Sequence, residues 1–186
     1  MLIDDHTRFK FVYFLKNKSE APKKAAEFVA QFNHAASSKS VTPVRVVGHV
    51  HMDNAGEFLS REFKDFLDEE LISQTTCPPH VHQLNGVAER AIRSIMEQTR
   101  AHLVSSALPV SYWPHIVQHS VDVLNRTTGP PDSTETSFQS MTGEQPRIMS
   151  IMPIGCRAHT VKPASAIVKT TIDAHAWAGV NLGRST

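Results

Sequence analysis

The stretch His-Met-Asp-Asn-Ala-Gly-Glu-Phe at 51–58 follows an apolar run, Val-Arg-Val-Val-Gly-His-Val, so a β-type segment finishes on the acid Asp53. A second acid, Glu89, stands in Gln-Leu-Asn-Gly-Val-Ala-Glu-Arg at 83–90, with 35 residues between the two. Convergent carboxylates bind hard divalent cations such as Mg²⁺ or Mn²⁺, because those ions prefer oxygen ligands. A pair of such ions can activate an attacking hydroxyl and stabilise the leaving oxygen of a phosphodiester. Three carboxylates usually share that load. The spacing also permits a plainer reading. Asp53-Asn54 is a good turn starter, and Glu89 can pair with Arg93 one helical turn on.

The path between the acids is what must bring them together. Val46, Gly48, Val50 and Met52 alternate with Val47, His49 and His51, as in one strand. Residues 59–72 read as a short amphipathic helix with Phe63, Phe66, Leu67 and Leu71 inward. Residues 73–77 read as a strand, and 78–86 as a loop rich in breakers. The longest helix begins near Val87, with Ala88, Ala91, Ile92, Ile95, Met96, Thr99 and Leu103 on one face. Glu89 then sits in its first turn, beside the loop. An acid on a strand end and an acid near a helix start can converge.

Upstream, residues 1–4 and 10–15 are strand-like around a turn. A helix follows Ser19, with Ala25, Phe28, Val29, Phe32 and Ala36 at helical spacing. Downstream, a helix from Ser111 is expected to bury Trp113, Ile116, Val117 and Leu124. From about residue 126, Pro, Gly, Ser and Thr dominate, which suggests a loosely packed extension. The alternation of strands and helices indicates an α/β domain.

Composition narrows the classes. A chain of 186 residues that is 40% hydrophobic and 20% charged suits one globular domain with a real core. The net charge of +1 means that any nucleic-acid face must come from local placement of Arg and Lys. Two cysteines, Cys77 and Cys156, provide neither a disulfide scaffold nor a cysteine zinc site. Among the eleven histidines, His49/His51 and His80/His82 are i,i+2 pairs without cysteine partners, and read as strand or surface residues. No run approaches the length of a membrane span and no signal peptide opens the chain, so neither a membrane nor secretion is expected. A nuclear or cytoplasmic location follows.

The motifs Met-Asp-Asn-Ala-Gly-Glu-Phe, Gln-Leu-Asn-Gly-Val-Ala-Glu-Arg, Leu-Pro-x-x-Tyr-Trp, Leu-Asn-Arg, Gly-Cys-Arg-Ala and Asn-Leu-Gly occur in that order. Together with the opening residues 2–21, the sequence resembles the integrase region of Copia-type (Ty1-like) retrotransposon Pol polyproteins, over essentially the whole chain. The resemblance implies a ribonuclease H-like mixed sheet flanked by helices, and a polynucleotidyl transferase that uses three acids and Mg²⁺ or Mn²⁺. It makes Asp53 and Glu89 the second and third catalytic, metal-binding acids. DNA, both element ends and target, becomes the partner, with self-association and no small-molecule cofactor. Gln83 and Asn85 would line the DNA end, and Arg90 and Arg93 would meet phosphates; a solvated helix face is the plainer reading of those arginines.

The departures from the family pattern carry their own expectations. The family's first acid lies on a strand preceding the segment that opens this chain, so the first strand is expected to be missing and the fragment inactive. Asp4 and Asp5 match a family Asp-Asp at a turn, away from the catalytic position. Ala55 replaces a usual Gly, which resists any positive φ, and His-Val-His-Gln-Leu alters the loop before Glu89. The expected organisation is a core over 1–126 and an irregular extension over 127–186. The rival expectation is a non-catalytic nucleic-acid-binding remnant of a transposable element.

Overall fold

A computed structural model describes residues 1–38, 46–53, 56–76, 86–161, 163 and 176–184. The chain divides into two compact units. One comprises Leu2 and Tyr13–Arg90; the other comprises Met1, Ile3–Val12 and Ala91–Thr186.

In the Tyr13–Arg90 unit, helix α1 (Ala21–Ser38) takes Pro22 in its first turn, where a missing N–H costs nothing. Strand β3 (His49–Met52) and strand β4 (Ser73–Thr76) run parallel, in the register His49 to Ser73 and Met52 to Thr76. Parallel neighbours need a crossover, and helix α2 (Arg61–Glu69) supplies it. The Ser60 hydroxyl caps α2 by accepting from the Phe63 N–H. Buried Val29, Phe63, Leu67 and Ile72 form the core, with Val50 and Met52 from β3 packed against it. That face of the sheet is apolar, as the alternation required.

The other face is not. His49 Nδ1 shares a hydrogen bond with Ser73 Oγ at 2.7 Å, and His51 Nδ1 one with Thr75 Oγ1 at 2.8 Å. His49 Nε2 also meets Thr75 Oγ1 at 3.0 Å. The histidines are strand residues, as their spacing suggested. Among the described residues β3 pairs with β4 alone, so the central position in a mixed sheet expected of a strand over 45–52 is not observed there. A strand with an apolar and a polar face satisfies its side chains without further neighbours.

β1 (Leu2–Ile3) and β2 (Lys10–Phe11), which apart from Leu2 belong to the other unit, form a hairpin. Its turn is built on Asp4, whose Oδ2 accepts from the Thr7 backbone N–H at 2.7 Å and from the Thr7 hydroxyl at 2.6 Å. Asp5 is exposed and paired with Arg8. These two acids do turn chemistry. Helix α3 (Gly86–Ser106) places Ile95 against Val117 and Val121 of helix α4 (Trp113–Thr127), with Val12 and Leu124 packed around them. Trp113, expected inside, is half exposed at the first residue of α4, one turn short of the buried Ile116.

The Leu-Asn-Arg motif ends α4 with two buried polar side chains. Asn125 Oδ1 accepts from the Lys10 N–H at 3.0 Å, and Asn125 Nδ2 donates to the Lys10 carbonyl at 2.9 Å. A side-chain amide thus stands where a neighbouring strand would pair. Arg126 donates from Nε to Asp122 at 2.8 Å.

The tail beyond 126 is more ordered than expected. Helix α5 (Ser137–Thr142) is capped by the Thr136 hydroxyl, which accepts from the Gln139 N–H, and closes on Gly143 at φ 76°. Strands β5 (Arg157–Val161) and β6 (Ala176–Val180) pair antiparallel. The Gly-Cys-Arg-Ala and Asn-Leu-Gly motifs meet here: Gly155 N–H donates to the Asn181 carbonyl at 2.8 Å, and Asn181 N–H to the Cys156 carbonyl at 2.9 Å. Gly155 has φ 81°, and a Cβ there would lie 2.7 Å from Ser106. No hydrophobic period announces such packing, which rests on glycine, on backbone hydrogen bonds and on the Asn181 side-chain amide, which donates to the Met152 and Pro153 carbonyls.

Candidate functional site

Asp53 follows β3 directly and is exposed. Exposure alternates along the strand: His49 and His51 outward, Val50 and Met52 half-buried. Strand alternation therefore carries Asp53 past the end of the polar face rather than into the core. Asn54 and Ala55 lie outside the described residues, and the chain resumes in a 3-10 turn, Gly56–Leu59.

Glu89 lies in the first turn of α3, also exposed. An acid there is favoured by the unpaired N–H groups at a helix start. Asp53 and Glu89 belong to the same compact unit. Neither makes an ion pair among the described residues; the Glu89–Arg93 pairing that the spacing allowed does not form.

Arg90 folds back along its helix. Its Nη1 lies 3.3 Å from where a Cβ on residue 86 would stand, so Gly86 leaves room for the guanidinium beside the first turn. Arg93 is exposed one turn on. Gln83 and Asn85 lie outside the described residues.

Asp53 and Glu89 each present an exposed carboxylate, the oxygen donor that a hard cation takes. In number the donors are short. Among the described residues, no group of three or more His, Cys, Asp or Glu side chains could hold a metal ion. The histidines nearest Asp53 in sequence are hydrogen-bonded across to β4, an arrangement that sequence spacing alone did not reveal. It follows from register, because parallel pairing sets His49 opposite Ser73 and His51 opposite Thr75. No helix among the described residues is long and apolar enough to cross a membrane.

No family model matches the chain. It is 31% identical over 161 residues to the retrovirus-related Pol polyprotein from transposon TNT 1-94 of Nicotiana tabacum, covering 87% of this chain and 12% of that protein. It is 28% identical over 159 residues to the retrovirus-related Pol polyprotein from transposon RE2 of Arabidopsis thaliana, covering 86% of this chain and 10% of that protein. The chain thus spans about a tenth of the length of the curated relatives it matches. Among solved structures, it is similar to a chain in the cryo-EM structure of the simian T-cell lymphotropic virus intasome in complex with PP2A regulatory subunit B56 gamma. The TM-score is 0.52 at 17% identity, covering 89% of this chain and 54% of that one. The mixed α/β architecture is therefore of the ribonuclease H-like type expected from the motifs.

Proposed function

We propose that this chain, homologous to one segment of Copia-type retrovirus-related Pol polyproteins, is an integrase catalytic core acting on DNA ends. The observation that carries the reading is the ordered pair Asp53 and Glu89. One acid follows a parallel strand, the other stands in the first turn of a helix, both fall in the same compact unit, and each lies within its motif. In this reading Asp53 and Glu89 hold Mg²⁺ or Mn²⁺, which supplies Lewis-acid stabilisation of charge at a phosphodiester. Arg90, beside the helix start, and Arg93 add positive charge where a phosphate would approach. The reaction is attack of a DNA 3′-hydroxyl on a target phosphodiester, expelling a DNA 3′-oxygen. DNA as the partner, self-association and an intracellular place of work belong to the same proposal, as do a core over 1–126 and an extension over 127–186. Gln83 and Asn85 remain candidates for lining the DNA end.

The second reading, a nucleic-acid-binding remnant without chemistry, is favoured by one finding: no third ligand joins the two acids among the described residues. One experiment separates the two. A pre-processed DNA end and a supercoiled target are incubated with the chain in Mn²⁺, and joined product is measured beside DNA binding. Joining abolished by Asp53→Asn and by Glu89→Gln supports the integrase reading. Binding without joining supports the remnant. Absence of both overturns the assignment to DNA.

A further inference from the structure

Between α3 and α4, within the unit of Ala91–Thr186, lies a buried polar layer unrelated to the two acids. The Thr99 hydroxyl donates to Ser120 Oγ at 3.2 Å, and Ser120 donates to the Ile116 carbonyl at 2.8 Å. Ser120 has a single proton and has already used it, so the 3.0 Å contact between His102 Nδ1 and Ser120 Oγ makes Nδ1 the donor. The His119 ring stands 5.0 Å from the His102 ring, centroid to centroid. His119 is only 6% exposed. Two imidazoles this close, one buried and one half-buried, cannot both carry charge cheaply.

We propose that His102 and His119 form a pH-sensitive latch between α3 and α4, closed while both rings are neutral and released when either is protonated. The groups around the pair offer a proton little compensation. From α4 the one nearby carboxylate is Asp122, already engaged by Arg126. From the C-terminal stretch, Gly183 packs 3.5 Å from His119 Cβ, measured from the position its own Cβ would take. Asn181 and Arg184 line the same small cleft as His119, and Arg184 donates to Ser150 Oγ at 2.8 Å. Arg184 therefore adds positive charge on that side. From α3 the neighbours are the uncharged Thr99 and His102 itself.

Burial holds both rings below the ordinary histidine range, and for His119 the neighbouring His102 pushes further down while Asp122 opposes. With the folded values depressed, the unfolded chain takes up protons first as pH falls. The contribution to stability is full above ~6.5 and is lost as pH drops from there through the folded values.

The test is a histidine-ring NMR titration of the 186-residue chain, beside urea unfolding at pH 7.5 and 5.5. Two rings should titrate below the ordinary histidine range with mutually dependent curves. The wild-type unfolding midpoint should fall between the two pH values, and in His102→Asn, which keeps a donor toward Ser120, the fall should be half or less. His159→Gln, at an exposed site on β5, should fall as wild type does. Ordinary, independent titration of both rings overturns the latch. So does an undiminished fall in folded His102→Asn; where that variant does not fold, the wild-type titration decides.

Discussion

The Arg126 guanidinium lies 4.8 Å from the centroid of the Phe138 ring while its Nε donates to Asp122. One buried cation thus joins α4 to α5 by stacking and holds a carboxylate one turn back on its own helix. Lysine keeps the charge but loses the planar stack and the directed Nε–H. Arg126→Lys should therefore lower stability by about 1 kcal/mol, and Arg126→Ala by more, since the aliphatic stem is lost too. Urea unfolding of the two variants checks the order.

Asn125 makes two hydrogen bonds to the backbone of Lys10 in a site that excludes water. Asn125→Ala strands a buried N–H and a buried carbonyl, which should cost about 2–4 kcal/mol. Amide exchange at Lys10 should accelerate with it. A change below about 0.5 kcal/mol, with Lys10 still protected, would show that the bracket is ornamental.

If Asp53 and Glu89 converge, their charges repel in the free protein, and a divalent ion relieves that repulsion. Mg²⁺ or Mn²⁺ should then raise the melting temperature by mass action. Asp53→Asn should abolish the rise. Glu97→Gln should leave it intact, because Glu97 lies two turns further along α3. Equal rises in wild type and Asp53→Asn would place the ion elsewhere.

Among the described residues, β3 and β4 pair with each other and with no other strand. Open edges recruit further strands. The chain should self-associate as its concentration rises, and sedimentation velocity reads this directly. A single monomer species over a hundredfold range of concentration would contradict it.

Much of this architecture was legible from side-chain periodicity. Phe63 and Leu67, one turn apart, marked the inner face of α2, and Ile95 and Thr99 that of α3; all four are buried. Periodicity was also misleading where a helix is amphipathic over more surface than it buries. Ile92 and Met96 share the stripe of α3 yet remain 50% and 40% exposed. What pattern could not reveal were contacts made by single polar atoms: Asn125 on Lys10, Asn181 against Gly155 and Cys156, His102 on Ser120. Each depends on a long-range meeting that leaves no local trace. The two candidate acids were legible as residue types at strand and helix ends, whereas the polar ladder beside Asp53 emerges only from the register of β3 on β4.

The Asn125–Lys10 bracket joins positions 115 residues apart. At the usual 5–20 residues per second of synthesis, β2 leaves the ribosome roughly 6–23 s before the side chain that will hold it. Meanwhile the hairpin relies on its own Asp4–Thr7 turn, a local contact that forms in microseconds. Strands β1 and β2 are thus made well before the side chain that secures them.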